Sequence, residues 1–465
     1  MKKKNLFILI ENSNRELASK LVLSLKAINR NYRVIIGHKG TVWSIFKYFN
    51  PGVVLLKSIG EKNTEIIKFL KKNKFKVTST DEEIILAWDY REAISRRTPK
   101  ENLMLLDKYL AVGKNHKKAL IETYPDFSEK KVDVIGNVRL DMFKEPFKQK
   151  YLAKHDYYKT KYGKFVLLAT SQWRVNGMTT KKHTLGWYFN KISEGHNTKT
   201  QTMRTNKILS HMHRDVTETM SEFILNFEKN FPETNLVVSP HPGENISYWE
   251  DLINNNNLKK VFLNKESTSN LISACDILVT SNSTIILEAF LLRKNCINVL
   301  ANEFSKEFYQ EVEVNILKNL SINARGFDEL NIAVKKYKEG GLFSLNYENF
   351  NEDINNLNDE TKFDLLLDSI SDLDIEQHND LYLEKFNILY LSLIRYKRKL
   401  LRFIRKIFNV KKKDTRLEKF FEKKIGQHLN YRNFSSEIYY FAEILNEKKF
   451  KFKEFVPNVY IIEKK

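Results

Sequence analysis

Three short apolar runs between residues 235 and 300 each end in polar, turn-forming residues, and this pattern constrains the fold most. Residues 236–238 lead into Ser-Pro-His-Pro-Gly-Glu, residues 277–279 lead into Thr-Ser-Asn-Ser-Thr, and Cys296–Leu300 forms the third run. A helical apolar stretch separates the second run from the third. Alternation of strand and helix is typical of a parallel sheet. Such sheets bind ligands outside the carboxyl ends of their strands, so we expect an anionic ligand at these polar segments.

The same alternation extends over most of the chain and indicates two α/β domains. A chain of 465 residues is too long for one ordinary core. We predict one doubly wound, Rossmann-like domain over residues 1–145 and a second over residues 146–338, facing each other across a cleft. Residues 178–205 have poor periodicity, which predicts a loop.

Beyond these domains the net charge of the chain is first negative and then positive. Residues 339–376 hold eleven acidic residues against one lysine, which predicts an acidic linker over residues 339–380. Residues 381–425 hold fifteen Lys/Arg against four acids, with apolar residues at helical spacing. We predict a basic helical extension over residues 381–465. Its basic amphipathic part fits either an anionic membrane surface or a face of its own domain.

The bulk composition limits the classes of partner and compartment. A formal charge of +21 favours acidic partners such as phosphorylated substrates or an anionic membrane, and we expect no nucleic acid. The two cysteines lie in apolar segments, as buried thiols of a reducing compartment do. No run reaches the roughly 18 apolar residues of a spanning helix. We expect a cytoplasmic protein, peripheral on the inner face of the membrane.

His241 is the first candidate for chemistry. It lies between Pro240 and Pro242, which stiffen the loop because proline fixes φ. An imidazole held in this way can bind a phosphate or give a proton to a departing one. The alternative is a loop histidine without a function. Glu244, in the same segment, joins His241 and Pro242 as a predicted substrate-binding residue.

The Ser/Thr segment after residue 279 is the second candidate. The hydroxyls of Ser281, Ser283 and Thr284, with the amides of the following helix, predict a phosphate site without a lysine. A simple helix cap is the alternative. Glu288 lies four residues after Thr284 among apolar neighbours, where its carboxylate suits a ribose diol.

Three adjacent carboxylates end a strand in the first domain. Because Asp81, Glu82 and Glu83 repel one another, we expect the pKa of at least one to rise into the range of a general base. The alternative is a solvated acidic turn. Patterns for metal sites are weak, and there is no GxxxxGK[ST], GxSxG or CxxC motif. We therefore expect neither a metal nor a cofactor.

Five motifs together resemble the bacterial surface-carbohydrate (polysaccharide) biosynthesis proteins of the GT-B glycosyltransferase architecture. The resemblance covers about residues 1–335. The motifs are Ile35-Ile36-Gly37-His38-Lys39, Asp81-Glu82-Glu83, Gly136-Asn137-Val138-Arg139-Leu140-Asp141, His241-Pro242-Gly243-Glu244 and Ser281-Asn282-Ser283-Thr284 with Glu288. Asn137 and Arg139 enter the predicted substrate-binding set through the third motif.

The layout also resembles bacterial sialyltransferases and related transferases of acidic keto-sugars such as Kdo. The resemblance implies that Glu82 is the general base, that His241 binds the CMP phosphate or acts as an acid, and that Ser283 and Thr284 bind the phosphate through their hydroxyls. Where that family has glycine after the acid pair, this sequence has Ile84. Asp81 and Glu83 therefore remain candidates for the base.

The sequence thus predicts a metal-independent GT-B glycosyltransferase of surface polysaccharide synthesis (capsule or lipopolysaccharide). A nucleotide-sugar, with CMP-sugar favoured, is the expected donor, and a glycan or lipid-linked acceptor is the second substrate. The alternatives are a nucleotide-sugar 2-epimerase, a CDP-polyol phosphotransferase and a non-catalytic nucleotide- or glycan-binding protein.

Overall fold

A computed structural model describes residues 3–177, 200–302, 312–340, 350–358, 360–375 and 429–465. The strands in these ranges are β1 Lys4–Ile10, β2 Tyr32–His38, β3 Gly52–Leu56, β4 Lys76–Thr80, β5 Lys108–Ala111, β6 Val132–Val134, β7 Phe165–Ala169, β8 Asn235–Ser239, β9 Val261–Leu263, β10 Ile277–Thr280, β11 Cys296–Leu300, β12 Ile322–Arg325, β13 Phe450–Val456 and β14 Val459–Lys464.

The α-helices of the described ranges follow the strands in alternation until the last part of the chain. They are α1 Ser13–Asn29, α2 Lys39–Ile45, α3 Thr64–Lys72, α4 Tyr90–Arg97, α5 Lys100–Met104, α6 Lys114–Thr123, α7 Gln149–Leu152, α8 His155–Tyr162, α9 Thr200–Asn230, α10 Ile246–Asn255, α11 Ile285–Leu291, α12 Asn315–Asn319, α13 Gly326–Lys338, α14 Phe363–Ser371 and α15 Tyr431–Ile444.

The chain divides into two compact units. Unit 1 comprises residues 1–84, 89–142 and 351–465, and unit 2 comprises residues 85–88 and 143–350. Unit 1 contains an eight-stranded sheet in the order β13-β14-β2-β1-β3-β4-β5-β6, in which β1 to β6 are parallel. The chain reverses direction across the sheet between β1 and β3. This reversal is a topological switch point, beside which open α/β sheets bind ligands.

The last residues of the chain form a hairpin, and the prediction of an entirely helical extension is wrong for them. β14 pairs antiparallel with β2 and with β13, and therefore completes the sheet of unit 1. The Asn458 carbonyl accepts a hydrogen bond from the His38 N–H at 3.0 Å. A Cβ at Gly37 would lie 2.3 Å from that carbonyl oxygen, so glycine is required for the hairpin to approach.

Part of the predicted acidic linker is also ordered structure in unit 1. Phe363–Ser371 is the helix α14, whose apolar residues are buried and whose Asp364 pairs with Lys26 of α1 at 2.6 Å. The Asn356 side chain accepts a hydrogen bond from the Asn137 N–H and donates one to the Asn137 carbonyl, each at 2.8 Å. Asp364 and Asp368 lie on the exposed face of this helix, so this part of the acidic stretch is an amphipathic helix rather than a linker.

Unit 2 contains a six-stranded parallel sheet in the order β12-β11-β10-β7-β8-β9. Its switch point lies between β7 and β10, which pair from Ile277 against Val166 to Thr280 against Ala169. Strands β7, β8 and β10 are almost entirely buried because helices cover both faces of the sheet. The long helix α9 contributes Phe223 and Phe227 to this core.

Two predicted features lie outside the described residues: the basic segment 381–425, with its membrane contact, and most of the predicted loop, at 178–199. The remainder of that loop, from Thr200, is the start of α9. In the part of the chain that the structure describes, no helix is both long enough and apolar enough to cross a membrane.

Candidate functional site

The carboxyl edge of the unit 2 sheet carries most of the predicted substrate-binding residues. Thr170 and Gln172 follow β7, His241 and Glu244 follow β8, and residues 281–284 follow β10. Since β7 lies between β8 and β10, these segments leave neighbouring strands at the switch point. The topology therefore collects at one edge what is spread over more than a hundred positions of sequence.

Glu244 is the organising residue of this edge. Its side chain is fully buried, and its carboxylate accepts hydrogen bonds from the Thr170 hydroxyl (2.9 Å), the Gln172 N–H (2.8 Å) and the Trp249 indole N–H (2.8 Å). The His241 N–H also donates to it, at 3.2 Å. Burial raises the pKa of Glu244, while these donors lower it, and burial prevails. Glu244 thus holds the segments after β7 and β8 together, and its carboxylate is engaged inside the protein.

The His241 ring is fixed by its own loop. The Gly243 N–H donates to Nδ1 of His241 at 3.0 Å. Because Nδ1 accepts this bond, Nε2 is the nitrogen that carries the proton of the neutral ring. Pro242 between them is exposed, and the imidazole is half-buried. The loop therefore holds the imidazole in one orientation, as the two prolines predict.

A second histidine, which the sequence analysis did not select, supports the same edge from α9. The His213 Nδ1 lies 2.9 Å from the side-chain oxygen of Gln172, whose backbone N–H bonds to Glu244. Burial and the neighbouring Arg174 lower the pKa of His213 to about 3, so its ring is neutral and donates from Nδ1. No local sequence motif marks this contact, because α9 and β7 are separated by a long connection.

The predicted Ser/Thr site follows β10 directly. Ser281 and Thr284 are buried, and Ser283 is half-buried. Thr284 occupies the cap position of α11, and the Ser283 hydroxyl accepts a hydrogen bond from the Ile285 N–H at 3.5 Å. The Asn282 N–H bonds to the Asn298 side chain at 2.9 Å, which anchors the segment to β11.

Glu288 lies within α11 and is buried. Its carboxylate accepts a hydrogen bond from the Ser269 hydroxyl at 2.6 Å. Ser269 belongs to a short turn after β9, where Thr268 contacts Ser239 at 2.8 Å and Asn264 bonds to Ser239 at 2.9 Å. Glu288 is therefore connected through hydroxyl and amide groups to the end of β8. No sequence motif marks Thr268 and Ser269, which follow the short strand β9.

The acidic cluster in unit 1 differs from its prediction. Arg97 binds Asp81 through two nitrogens, at 2.7 and 2.8 Å, and reaches Glu83 at 3.3 Å. Burial alone would raise the pKa of Glu83, but the charges of Lys57 and Arg97 lower it, and the lowering prevails. The pKa of Glu83 falls instead of rising, because the charges of Lys57 and Arg97 stabilise its negative form. Within the described residues the Glu82 carboxylate forms no ion pair.

A buried ion network fills the switch point of unit 1. Glu16, on α1, accepts hydrogen bonds from the Glu11 and Asn12 N–H groups at 3.0 and 3.3 Å. It also binds Lys20 at 2.7 Å and Lys57 at 3.1 Å. Burial would raise the pKa of Glu16, but the two lysines lower it to about 2. The backbone amides that often bind phosphate in such sheets are thus occupied by a carboxylate of the protein itself.

Asn137 and Arg139 of the third motif are buried, and the Asn137 amide also donates to the backbone carbonyl of Glu82 at 3.4 Å. The Asn137 side chain accepts from the Arg139 N–H at 3.1 Å, and its backbone bonds to Asn356. Gly136 has φ of +98°, and a Cβ there would lie 2.5 Å from the Asn356 side chain. Both predicted substrate-binding residues therefore belong to unit 1 and not to the edge of the unit 2 sheet.

Among the described residues, no group of three His, Cys, Asp or Glu side chains is arranged to hold a metal ion. What the unit 2 edge presents is a set of hydroxyls and one fixed imidazole. Such neutral donors bind the oxygens of a phosphate through hydrogen bonds.

No protein-family model and no curated protein sequence matches the chain. Solved structures with a similar fold include a Listeria monocytogenes protein assigned as a UDP-N-acetylglucosamine 2-epimerase. It is 11% identical, with a TM-score of 0.52 over 81% of this chain and 99% of that chain. The UDP-GlcNAc 2-epimerases of Methanocaldococcus jannaschii and Neisseria meningitidis are 12% and 13% identical, with TM-scores of 0.49 and 0.47. They cover 78% and 79% of this chain and 98% and 99% of their own.

At this level of identity the likeness concerns the fold alone. The chain is an α/β protein of the GT-B-like type, with two parallel-sheet, Rossmann-like units. The predicted fold class is confirmed, apart from the helical extension corrected above.

Proposed function

We propose that this chain is a nucleotide-sugar enzyme, and specifically a glycosyltransferase of surface polysaccharide synthesis. The observation that carries the proposal is the unit 2 switch point, where the segment after β10 carries Ser/Thr hydroxyls and the segment after β8 carries a fixed imidazole. These groups suit the phosphates of a nucleotide donor. CMP-sugar remains the favoured donor, with UDP-sugar as the first competitor.

On the donor side, His241 and the Ser/Thr segment stabilise the departing nucleotide. The bond between the anomeric carbon and the phosphate oxygen breaks, and negative charge develops on that oxygen. The proton on Nε2 of His241 and the hydroxyls of Ser283 and Thr284 bind this charge. Glu288 accepts the ribose hydroxyls, and Glu244 positions the His241 loop without touching substrate.

On the acceptor side, Glu82 removes the proton of the attacking hydroxyl. Arg97 engages both carboxylate oxygens of Asp81, and the lowered pKa of Glu83 makes that group a poor base. Two further polar atoms in unit 1, Asn12 Oδ1 and Ser13 Oγ, are buried without a hydrogen-bond partner among the described residues. They suit a neutral, hydroxyl-rich ligand such as a glycan or the sugar of a lipid-linked acceptor.

The second candidate is a nucleotide-sugar 2-epimerase, and the likeness to the Listeria monocytogenes structure favours it. It would use the same nucleotide site, with Glu82 moving a proton at carbon rather than at an acceptor oxygen. The two reactions differ in one requirement: an epimerase converts the nucleotide-sugar alone, whereas a transferase requires an acceptor.

A thermal-shift screen against CMP, CDP, UDP and their sugars identifies the nucleotide. Incubation of the best nucleotide-sugar without acceptor, followed by NMR of the sugar, then separates the two reactions. We expect no epimer without acceptor, and release of the free nucleotide when acceptor glycan is added. An epimer formed from the nucleotide-sugar alone would replace the transferase proposal. If no nucleotide shifts the melting temperature, both the transferase proposal and the epimerase proposal fail.

The role of Glu82 has its own test. Glu82→Gln should leave donor affinity unchanged and lower turnover by about a hundredfold, because only proton transfer is affected. Asp81→Asn is the matched control: it should lower thermal stability through the loss of the buried pair with Arg97. Equal loss of nucleotide affinity in Glu82→Gln would assign Glu82 to the donor site instead.

We also propose that residues 381–425 attach the protein to an anionic membrane. The proposal rests on the sequence, in which each Lys/Arg near an anionic leaflet contributes about 1 kcal/mol. Binding to anionic liposomes should weaken as salt rises, and should be lost when Arg395, Lys397, Arg398, Arg402 and Arg405 become Gln. Indifference to anionic liposomes at low salt would contradict it.

A further inference from the structure

Strand β13 is the outermost strand of the unit 1 sheet, and the proposed function does not use it. It pairs with β14 on one side, and no strand of the described residues pairs with its other side. The register of the pairing shifts between Glu454 and Val456, which ends the regular part of this edge. The regular part begins at Phe450 and can pair with about five residues of another strand.

The backbone of β13 has hydrogen-bonding groups along this outer edge. The Lys465 N–H donates to the Lys449 carbonyl at 2.9 Å, so that carbonyl faces β14. In an antiparallel pair, the peptide groups of successive residues point to alternate sides. The N–H and carbonyl groups of Phe450 and Phe452 therefore point away from β14, where another strand can bond to them.

The side chains of this region divide between the two faces of the sheet, because they alternate along a strand. One face carries a lysine row, formed by Lys449, Lys451 and Lys453, all of which are exposed. Within the described residues, one carboxylate lies within ion-pair distance of the row, that of Glu463 at 3.6 Å from Lys451. Three lysines beside one acid leave the row positively charged.

The other face carries an aromatic row, formed by Phe452 of β13 and by Tyr431 and Tyr439 of α15. The ring centroid of Phe452 lies 5.8 Å from that of Tyr431 and 5.7 Å from that of Tyr439. Tyr431 is 52% exposed and Tyr439 is 58% exposed, while Phe452 is half-buried. The row therefore has open aromatic surface on this face of the edge strand, against which apolar side chains can pack.

A second copy of the chain does not suit this edge. If two β13 strands paired antiparallel, the lysine row of one copy would lie opposite the lysine row of the other on the same face. Like charges directly opposite each other destabilise a strand pair, and lysines on edge strands prevent such pairing. A strand with acidic residues on this face has the complementary charge.

We propose that β13 binds an extended peptide of a partner protein, which adds a ninth strand to the unit 1 sheet. The peptide alternates acidic and apolar residues. Its backbone bonds to the peptide groups of Phe450 and Phe452, its acids lie beside the lysine row, and its apolar side chains pack on the aromatic row. Backbone pairing supplies affinity, and the alternation supplies specificity, because this pattern matches both faces of the sheet.

Fluorescence anisotropy with the full chain and a labelled peptide of about seven residues, alternating Glu and Val, tests the proposal. This peptide should bind at least tenfold more tightly than a peptide of the same composition in shuffled order, and than a peptide with Lys in place of Glu. Equal binding of the shuffled peptide would show charge attraction alone, and equal binding of the Lys peptide would show apolar contact alone. Either result, or no binding at all, overturns the proposal.

N-methylated peptides show whether the backbone pairs. In a strand, the N–H groups of alternate residues point to the same side. Methylation of one alternate set of N–H groups should therefore weaken binding at least tenfold, and methylation of the other set should leave the affinity unchanged. Equal effects of the two sets would show that the peptide does not bind as a strand.

Reversal of the lysine row should reverse the preference between the two peptides. Lys449→Glu, Lys451→Glu and Lys453→Glu together should weaken the Glu peptide at least tenfold and tighten the Lys peptide at least tenfold. The matched control changes the exposed Lys62, Lys118 and Lys130 of unit 1 to Glu, alters the net charge equally and should leave both affinities unchanged. If the control acts like the lysine-row variant, net charge explains the binding and the edge is not the site.

The aromatic row has a separate test, with melting curves to verify folding. Tyr431→Ser with Tyr439→Ser should weaken the Glu peptide at least fivefold and keep its preference over the Lys peptide. Tyr157→Ser, at a tyrosine of unit 2 that is 56% exposed, is the matched control and should have no effect. If the loss follows instead the five Gln substitutions in residues 395–405, the peptide binds the basic segment. If the peptide dissociates a dimer of the chain, the edge belongs to a second copy, and either outcome overturns the proposal.

Discussion

The carboxyl edges of the two sheets occupy equivalent places in the fold but are filled by different chemistry. In unit 2 the edge is organised by a buried carboxylate, Glu244, which accepts hydrogen bonds from four neutral donors. In unit 1 the edge holds alternating acids and cations, with Glu16 bonded to the first loop amides and to two lysines. One edge keeps neutral hydrogen-bonding groups, and the other is internally neutralised by ion pairs.

The difference teaches that topology fixes where a ligand can bind but not which ligand binds. The loop amides after β1 are satisfied by Glu16, so unit 1 has little remaining attraction for a phosphate there. In unit 2 Glu244 binds the loop amides of residues 172 and 241 in the same way, but the hydroxyls after β10 are not among the donors to its carboxylate. This contrast supports our placement of the nucleotide in unit 2 and of a neutral acceptor in unit 1.

The largest expected effect is that of removing the centre of the unit 2 edge. Glu244→Ala leaves several buried donors without an acceptor, each at a cost of about 1–3 kcal/mol. We expect a loss of about 3–5 kcal/mol in the free energy of unfolding of unit 2, measured by urea denaturation, together with loss of activity. Asp251→Asn, an exposed acid on α10, is the control and should change neither. A stable, active Glu244→Ala would show that the two segments do not depend on this carboxylate.

Acid should affect the stability of the two edges in opposite directions. The pKa of Glu16 is about 2 in the folded chain and about 4.5 ordinarily, so its stabilisation of about 3 kcal/mol is present above pH 4.5 and is lost as the pH falls toward 2. The pKa of Glu244 is raised, so its contribution to stability increases as the pH falls. Hydrogen exchange should therefore accelerate in peptides from α1 before those from α10.

Glu16→Gln provides the control for this acid response. The variant should be less stable at neutral pH, because Lys20 and Lys57 lose their buried partner, and its α1 peptides should respond less to acid. An unchanged acid response in the variant would assign the effect to other carboxylates.

His241→Ala tests the chemistry of the unit 2 edge at constant structure. We expect turnover to fall by about a hundredfold, which corresponds to about 2.7 kcal/mol, with little change in melting temperature. His155→Ala is the comparison: that ring contacts the Ser273 carbonyl at 2.9 Å, so its loss should lower stability and spare turnover. The reverse pattern would make His241 a structural residue.

The smallest effect belongs to the hydroxyls after β10. Ser283→Ala removes one hydrogen bond to a charged phosphate and should weaken nucleotide binding by about tenfold, measured by calorimetry. Ser247→Ala, at the start of α10, is the matched control in the same unit. If both variants bind alike, the phosphate lies elsewhere on this edge.

Many strands of both sheets could be predicted because they are buried apolar runs between turn-forming residues, as Cys296–Leu300 is. The short strands β9 and β12 could not, because they are only partly buried and lack such a run. The C-terminal hairpin carried its own signal, since Phe and Lys alternate in Phe450–Val456 and Pro457-Asn458 is a turn. Its pairing with β2 could not be predicted, because more than four hundred residues separate the two strands. The ordered helix α14 was obscured by its exposed acids.

The location of the candidate site could be predicted from the sequence, but the hydrogen bonds and ion pairs among its residues could not. Polar residues after apolar runs located His241, Ser283 and Thr284, since parallel strands end at one edge. The engagement of Asp81 by Arg97 depends on the turn between β4 and α4, which brings together residues sixteen positions apart. The enclosure of Glu244 by Thr170 and Trp249 depends on the packing of three elements, and no spacing rule encodes it.

The antiparallel pairing of β14 with β2 also orders events during synthesis. When unit 2 has left the ribosome, β2 still has an unpaired edge, because β14 and the Asn458 carbonyl that packs against Gly37 have not yet been synthesised. Unit 2 can therefore be complete while the sheet of unit 1 is not, and the nascent chain carries an open strand edge through most of translation. A chain truncated after residue 448 would contain a complete unit 2 and a unit 1 sheet with an exposed edge strand.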